Sequence, residues 1–225
     1  MSERVVAITG GHGVLGKAVV EVALAQGLKV AVIDHASGHA APDGVLEIGG
    51  VDLTDPAAAK AAIETVAAHF GRLDALLNIA GGFVWQTVEG GADEWGRMYA
   101  LNLATALNAS RAALPHLKAA HEGRIVNVGA NGALKAPQGM GAYAASKSAV
   151  HRLTEALAEE LKATSVTVNA VLPSIIDTTA NRADMPDADP KKWVAPGDLA
   201  ATILFLASPE ARAITGALLP VTGRV

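Results

Sequence analysis

Val5 to Thr9 is a short apolar run rich in β-branched residues, and it leads straight into Gly10-Gly11-His12-Gly13-Val14-Leu15-Gly16. Such a run reads as a buried strand. Leu15 to Gln26 then has apolar residues at helical spacing, Gly27 stops it, and Lys29 to Asp34 is a second strand pattern. Strand, glycine-rich turn, helix and strand make a βαβ unit, which commits both strands to one parallel sheet. The glycines let the backbone turn tightly and come close to a pyrophosphate. The helix N-terminus offers that group free N–H donors and a positive dipole end. Asp34 closes the second strand, where a carboxylate can accept hydrogen bonds from both hydroxyls of an adenosine ribose. The same charge repels a 2′-phosphate, and His35, Ala36 and Ser37 bring no Arg or Lys to offset it. The unit therefore reads as a site for NAD(H) rather than NADP(H).

The rest of the chain keeps alternating. Val45 to Ile48 reads as a third strand, with Asp52 and Leu53 just past it. Asp55-Pro56 has the cap-then-proline form of a helix start, and that helix runs to Phe70. Leu73 to Asn78 is a fourth strand, followed by Ile79-Ala80-Gly81-Gly82. Asp93 to about Leu117 is a long helical pattern containing Asn102, and Arg124 to Val128 is a fifth strand. A helix then starts near Tyr143 and runs to about Lys162. Val166 to Leu172, Leu199 to Leu206 and Ala217 to Val221 read as strand, helix and strand. This order predicts an α/β fold: a doubly wound, mostly parallel sheet with helices on both faces, a Rossmann fold in a single domain over residues 1–225. Ligands of such sheets sit beyond the carboxyl ends of the strands. Asp34, Asp52, Asn78 and the segments after Val128 and Leu172 should thus converge on one cleft.

Composition narrows the function classes. The 225 residues are 51% apolar, 18% charged and 4% aromatic, a globular balance. A net charge of -4 gives no basic footprint for nucleic acid. The chain has no cysteine, which excludes disulfides, thiolate catalysis and thiolate metal sites. Its seven histidines are dispersed without a His-Glu-x-x-His pattern, so no metal site is expected. No apolar stretch approaches the roughly 20 residues that span a bilayer. The start, Met1-Ser2-Glu3-Arg4, lacks a signal-peptide layout. The expectation is a cytoplasmic protein with a small-molecule substrate, bound to neither membrane nor nucleic acid.

Tyr143 and Lys147 stand four residues apart in Gly139-Met140-Gly141-Ala142-Tyr143-Ala144-Ala145-Ser146-Lys147. On a helix that spacing puts both on one face. A phenol has a reference pKa of about 10, and a nearby ammonium pulls it toward the working range of a proton donor. Lowering it by about three units takes roughly 4 kcal/mol, more than one lysine supplies at protein dielectrics. A second positive charge, such as an oxidised nicotinamide, would supply the rest.

Taken together, Thr9-Gly10 through Gly16, Asp52-Leu53, Asn78-Ile79-Ala80-Gly81, Asn102, Tyr143-x-x-x-Lys147 and Pro173 through Thr178 resemble the short-chain dehydrogenase/reductase family over nearly the whole chain. The resemblance implies that Tyr143 exchanges a proton with the substrate and that Lys147 holds the nicotinamide ribose and lowers the phenol's pKa. It implies that Asn102 helps hold a proton-relaying water. It also places Gly10, Gly13, Val14, Leu15, Gly16, Asp34, Asp52, Leu53, Asn78, Ala80, Gly81, Pro173, Ile176 and Thr178 against the cofactor. A homodimer or homotetramer packed through the helices containing Asn102 and Tyr143 is implied as well.

The sequence departs from the family pattern at three places. Gly13 precedes the position, occupied here by Val14, where the second glycine usually stands. Ser174 replaces the glycine that usually follows Pro173. Ala130 occupies the position of the substrate-orienting serine, thirteen residues before the tyrosine, so a methyl stands where a hydroxyl would donate. The dihydropteridine reductase branch also lacks that serine. Val128 to Lys147, Val171-Leu172-Pro173, Asp177-Thr178, Asn181-Arg182, Met185-Pro186 and Trp193 are similar to that branch, whereas Asn102 follows the general family. A quinonoid pterin takes hydride into a conjugated C=N system and spreads the charge, so one hydroxyl donor matters less there. Ser174 to Pro196, polar and rich in Asp and Pro, reads as a substrate lid over about 174–196. Ala130, Trp85, Met140, Met185 and Trp193 are the candidate substrate-pocket walls. Three functions follow: an NADH-dependent reductase of conjugated C=N or C=O acceptors, an ordinary ketone reductase or alcohol dehydrogenase (3-oxoacyl reduction included) with another donor such as Asn131, and a non-catalytic NAD-binding protein.

Overall fold

The computed structural model describes residues 4–38 and 42–225. Strands β1 (Val5–Thr9), β2 (Lys29–Ile33), β3 (Val45–Ile48), β4 (Ala75–Asn78), β5 (Arg124–Val128), β6 (Thr167–Pro173) and β7 (Leu218–Val221) form one sheet. Its order is β3-β2-β1-β4-β5-β6-β7, and every pairing is parallel. Helices α1 (Val14–Ala25), α2 (Pro56–Phe70), α3 (Asp93–Met98), α4 (Thr105–Ala119), α5 (Gly141–Glu160), α6 (Thr179–Asp184) and α7 (Pro196–Leu206) connect them. The expected doubly wound, parallel α/β architecture is present.

Alternate residues of each strand enter different cores, because successive side chains of a strand point to opposite faces. Val5 and Ala7 pack with Ile63 and Val66 of α2, Ala109 and Ala113 of α4, and Leu157 of α5. Val6 and Ile8 pack on the other face with Val19 and Ala23 of α1 and Leu199 and Ile203 of α7. Both faces being covered, the strands read as unbroken apolar runs rather than alternating ones. The sheet order reverses between β1 and β4, so connections leave those two strands toward opposite faces and open a crevice at their carboxyl ends.

One segment departs from the sequence reading, and another gains detail. The long pattern from Asp93 is continuous, but Tyr99–Ala104, between α3 and α4, is a π-helical stretch, and Asn102 sits in it. Residues 174–196 are ordered by local bonds. Ile176 bridges Val194, Arg182 forms a two-pronged ion pair with Asp177, and Asn181 Nδ2 donates to the Ile176 carbonyl at 2.7 Å.

The centre of the sheet holds a buried polar chain. Asn78 Nδ2 donates to Ser110 Oγ and to Asn127 Oδ1, and Asn127 Nδ2 donates to Thr154 Oγ1 at 2.8 Å. These bonds tie β4 and β5 to α4 and α5, the elements that frame the crevice. Asn127→Leu keeps a similar volume but strips partners from two buried polar groups. Chemical denaturation should show a loss of about 2–4 kcal/mol with an unchanged m-value.

Candidate active site

The crevice is a groove of about 1090 Å³ at the carboxyl ends of the strands. Gly10, Gly13, Val14, Leu15, Gly16, Asp34, Asp52, Leu53, Ala80, Gly81, Tyr143, Lys147, Ile176 and Thr178 all line it. Asn78 and Pro173 do not. Asn78 is buried in the polar chain under the groove floor, and Pro173 is buried in the last position of β6.

At one end of the groove the β1–α1 turn is compact because it lacks side chains. Gly10 has φ +70, and a Cβ there would lie 2.8 Å from the Ala80 nitrogen. A Cβ on Gly16 would run into the Gly10 carbonyl oxygen. The early Gly13 serves as the N-cap of α1, which leaves Val14 half-exposed at the groove. Asp34 is held in place by two backbone donors, His12 N–H at 3.0 Å and Ala36 N–H at 2.9 Å. Among the described residues that line the groove, Lys147 is the sole lysine or arginine. Asp52 accepts from the amide and hydroxyl of Thr54, and those bonds hold its carboxyl below the usual range.

At the other end, α5 brings Tyr143 and Lys147 to the same wall. Lys147 is 5% exposed and donates to the Val128 carbonyl at 2.8 Å. The ammonium alone does not acidify the phenol. Burial pushes Tyr143 up to about 12 and Lys147 down to about 8. Desolvation disfavours the charged form of each group, and it is the cause of both shifts. Asn102 is fully buried beside them rather than lining the groove. Its Oδ1 accepts from Gly82 N–H, and its Nδ2 lies 3.1 Å from the Gly82 carbonyl and 3.0 Å from Ser146 Oγ. The π-helical turn widens the helix by one residue, a distortion often found at functional sites.

The candidate substrate walls do not assemble as expected. Trp193 is only 7% exposed and lies outside the groove lining, since the Ile176–Val194 bridge draws its segment against the core. Trp85 is 59% exposed, and its ring packs against Gly139, whose φ is +75 and whose carbonyl accepts from Gln86 N–H. Met140 packs toward Gly132, and Met185 is half-buried at the end of α6. Ala130 is buried at 4% exposure. The wall that sequence reasoning missed is Phe83. It is 53% exposed, lines the groove, and stands edge-to-face to Tyr143 with ring centroids 5.0 Å apart. Its signal was available, for it directly follows Gly81-Gly82 at the carboxyl end of β4. Gly82, Leu101, Thr105, Val128, Thr179 and Ala180 also line the groove without having been singled out.

Among the described residues no cluster of His, Asp or Glu could hold a metal ion, and no helix is long and apolar enough to cross a membrane. The sequence profile of the short chain dehydrogenase family matches residues 4–189. The 2-(S)-hydroxypropyl-CoM dehydrogenase 3 of Xanthobacter autotrophicus is 33% identical, covering 99% of this chain and 96% of its own. The 3-oxoacyl-(acyl-carrier-protein) reductase of Vibrio cholerae is 31% identical over 98% of this chain and 96% of its own. The crystal structure of 3-ketoacyl-(acyl-carrier-protein) reductase from Brucella melitensis complexed with NADH superposes with a TM-score of 0.87 at 29% identity, covering 98% of both chains. Fold, groove and relatives agree, and the chain belongs to the short chain dehydrogenase family of oxidoreductases.

Proposed function

We propose that the chain uses NAD(H) to move a hydride to or from a conjugated C=N or C=O acceptor, with dihydropteridine reductase-like or imine-reducing activity. The observation that carries this reading is one continuous groove with Asp34 and the glycine turn at one end and Tyr143, Lys147 and Phe83 at the other. The residues fit a dinucleotide. The turn is a cradle that a Cβ would fill, and Asp34 is oriented by two backbone donors, with no lysine or arginine near it among the described residues that line that end of the groove to meet a 2′-phosphate. Gly13 to Gly16 and the N-terminus of α1 hold the pyrophosphate. Asp34 takes the adenosine ribose, Asp52 and Leu53 lie by the adenine, and Ala80, Gly81, Ile176 and Thr178 border the nicotinamide end. The bound cofactor supplies or accepts the hydride.

The chain's own groups handle the proton. The Tyr143 phenol is protonated at neutral pH and is the acid toward a reduced acceptor. Burial, which pushes it up to about 12, makes it a weaker donor by itself, and positive charge brought in alongside would strengthen it. Lys147, brought down to about 8, exchanges protons readily near neutrality and refills that acid, with Asn102 fixing the Gly82 backbone beside it. The half-exposed ring of Phe83 gives a planar acceptor an aromatic surface next to the phenol. Ala130 offers no hydroxyl, which favours acceptors whose developing charge is delocalised. Trp95 and Tyr99, exposed on the helix that carries Asn102, offer apolar surface for a second copy in a homodimer or homotetramer.

A second reading, reduction of an ordinary ketone, is favoured by the similarity to the Vibrio 3-oxoacyl reductase. NADH oxidation measured with quinonoid dihydropterin and with a panel of simple ketones separates the two. The first reading expects the higher kcat/KM on the pterin, and the reverse order would overturn it. In either case Tyr143→Phe should lower kcat by about 10²–10⁴-fold, with NADH affinity held within about twofold in a fluorescence titration. Asp34→Ala should raise the KM for NADH by roughly 10- to 100-fold and leave that for NADPH nearly unchanged. Preserved selectivity would mean the ribose binds elsewhere.

A further inference from the structure

His151 lies one helical turn beyond Lys147 on α5, is 2% exposed, and has no place in the chemistry above. Its surroundings are built for it. The Ala130 N–H donates to its Nε2 at 3.3 Å. That contact assigns the tautomer, since Nε2 accepts and the ring proton must sit on Nδ1. Gly129 leaves the space, because a Cβ there would collide with the imidazole. Burial, with the positive charges of Arg152 and Lys147 adding to it, pushes protonation down to about 4, so the ring is neutral at neutral pH.

The bond belongs to a set. Lys147 Nζ donates to the Val128 carbonyl, Ser148 Oγ donates to the Ala133 carbonyl, and His151 accepts from Ala130 N–H. Three side chains from five consecutive residues of α5 therefore grip the backbone as it leaves β5. Gly129 N–H continues the ladder to Val171, and Ala133 N–H closes onto the Ala130 carbonyl. His151 supplies the sole side-chain bond to Ala130 itself among the described residues. Because this same helix carries Tyr143, the three bonds fix the Ala130 segment relative to the phenol.

We propose that His151 is a positioning residue: its unprotonated Nε2 pins the Ala130 main chain, where the family's serine would stand, and so sets the distance between the acceptor and the Tyr143 phenol. The part concerning the acceptor rests on the functional reading above. The role differs from a proton donor's, because the Nε2 facing the segment has no proton to give. It also differs from simple packing, because an apolar side chain of similar size would fill the space without accepting the bond.

His151→Leu and His151→Gln separate these cases, since a Gln side chain carries an acceptor to about the place of Nε2. Hydrogen exchange of the Ala130 amide, followed by NMR, reads the anchor without any catalysis. It should speed up about 5- to 10-fold in His151→Leu and stay near wild type in His151→Gln. In kinetics, His151→Leu should lower kcat by roughly 10- to 100-fold with NADH affinity within about twofold, and His151→Gln should recover most of the loss. Equal exchange in all three proteins, or a Gln variant no better than Leu, would overturn the proposal. So would a parallel fall in NADH affinity and kcat. Should the unaltered chain turn over no acceptor at all, the functional reading fails, and the exchange comparison still decides whether His151 holds the segment.

Discussion

The ammonium of Lys147 is buried almost completely, and it needs an acceptor. It finds the last carbonyl of β5, at Val128, 2.8 Å away. That bond fixes where α5 lies over the sheet, and with it the Tyr143 phenol one turn earlier. Gly81 must be a glycine for the same reason, since a Cβ there would press on Asn102 Oδ1 and stand 3.3 Å from Lys147 Nζ. The wall of the groove is thus assembled around one desolvated charge. The polar chain from Asn78 to Thr154 holds the elements behind it in register.

The cost of that burial sets how the pair behaves. Moving the phenol from 10.0 to about 12 and the ammonium from 10.5 to about 8 corresponds to about 3 kcal/mol on each group. Both shifts disfavour charge, so the pair as built is a neutral phenol beside an easily deprotonated amine. A phenolate at neutral pH would need a further shift of about five units, roughly 7 kcal/mol, from positive charge brought in alongside. A phenol pushed up to about 12 is protonated but a weak donor at neutral pH, so donation too gains from positive charge alongside.

Much of this was legible in the residues, and what was missed has identifiable causes. Strand and helix alternation, the glycine turn and the strand-end carboxylate at Asp34 are consequences of periodicity and backbone freedom, which one sequence displays. Of the sixteen residues expected around the cofactor, Tyr143 and Lys147 included, fourteen line the groove: twelve because they follow strand ends, which share one rim in a parallel sheet, and Tyr143 and Lys147 because α5 carries them there. Asn78 and Pro173 also end strands, but their side chains or rings are absorbed by the core and the ladder. Whether a strand-end residue faces in or out depends on register, which pattern alone does not supply. The π-helical turn at Asn102 escaped for a related reason. One extra residue in a turn barely changes the apolar spacing, though it turns the Asn102 amide toward Gly82 and Ser146. Trp193 misled because a flat apolar side chain in a polar segment resembles a pocket wall, whereas a local bridge pulls it inward.

Ala130 carries the argument about substrate furthest. Its side chain cannot donate, and its N–H is already given to His151. Neither group is left to stabilise an oxyanion at that position. A simple ketone concentrates its developing charge on one oxygen and needs several aimed donors in a dry site. A conjugated acceptor distributes that charge over a ring and meets the groove with its face as well as its edge. Phe83, half-exposed in the groove, stands edge-to-face with the Tyr143 ring. The missing donor at Ala130 and the half-exposed ring of Phe83 therefore support the same proposal, an acceptor with delocalised charge, although they lie after different strands of the sheet.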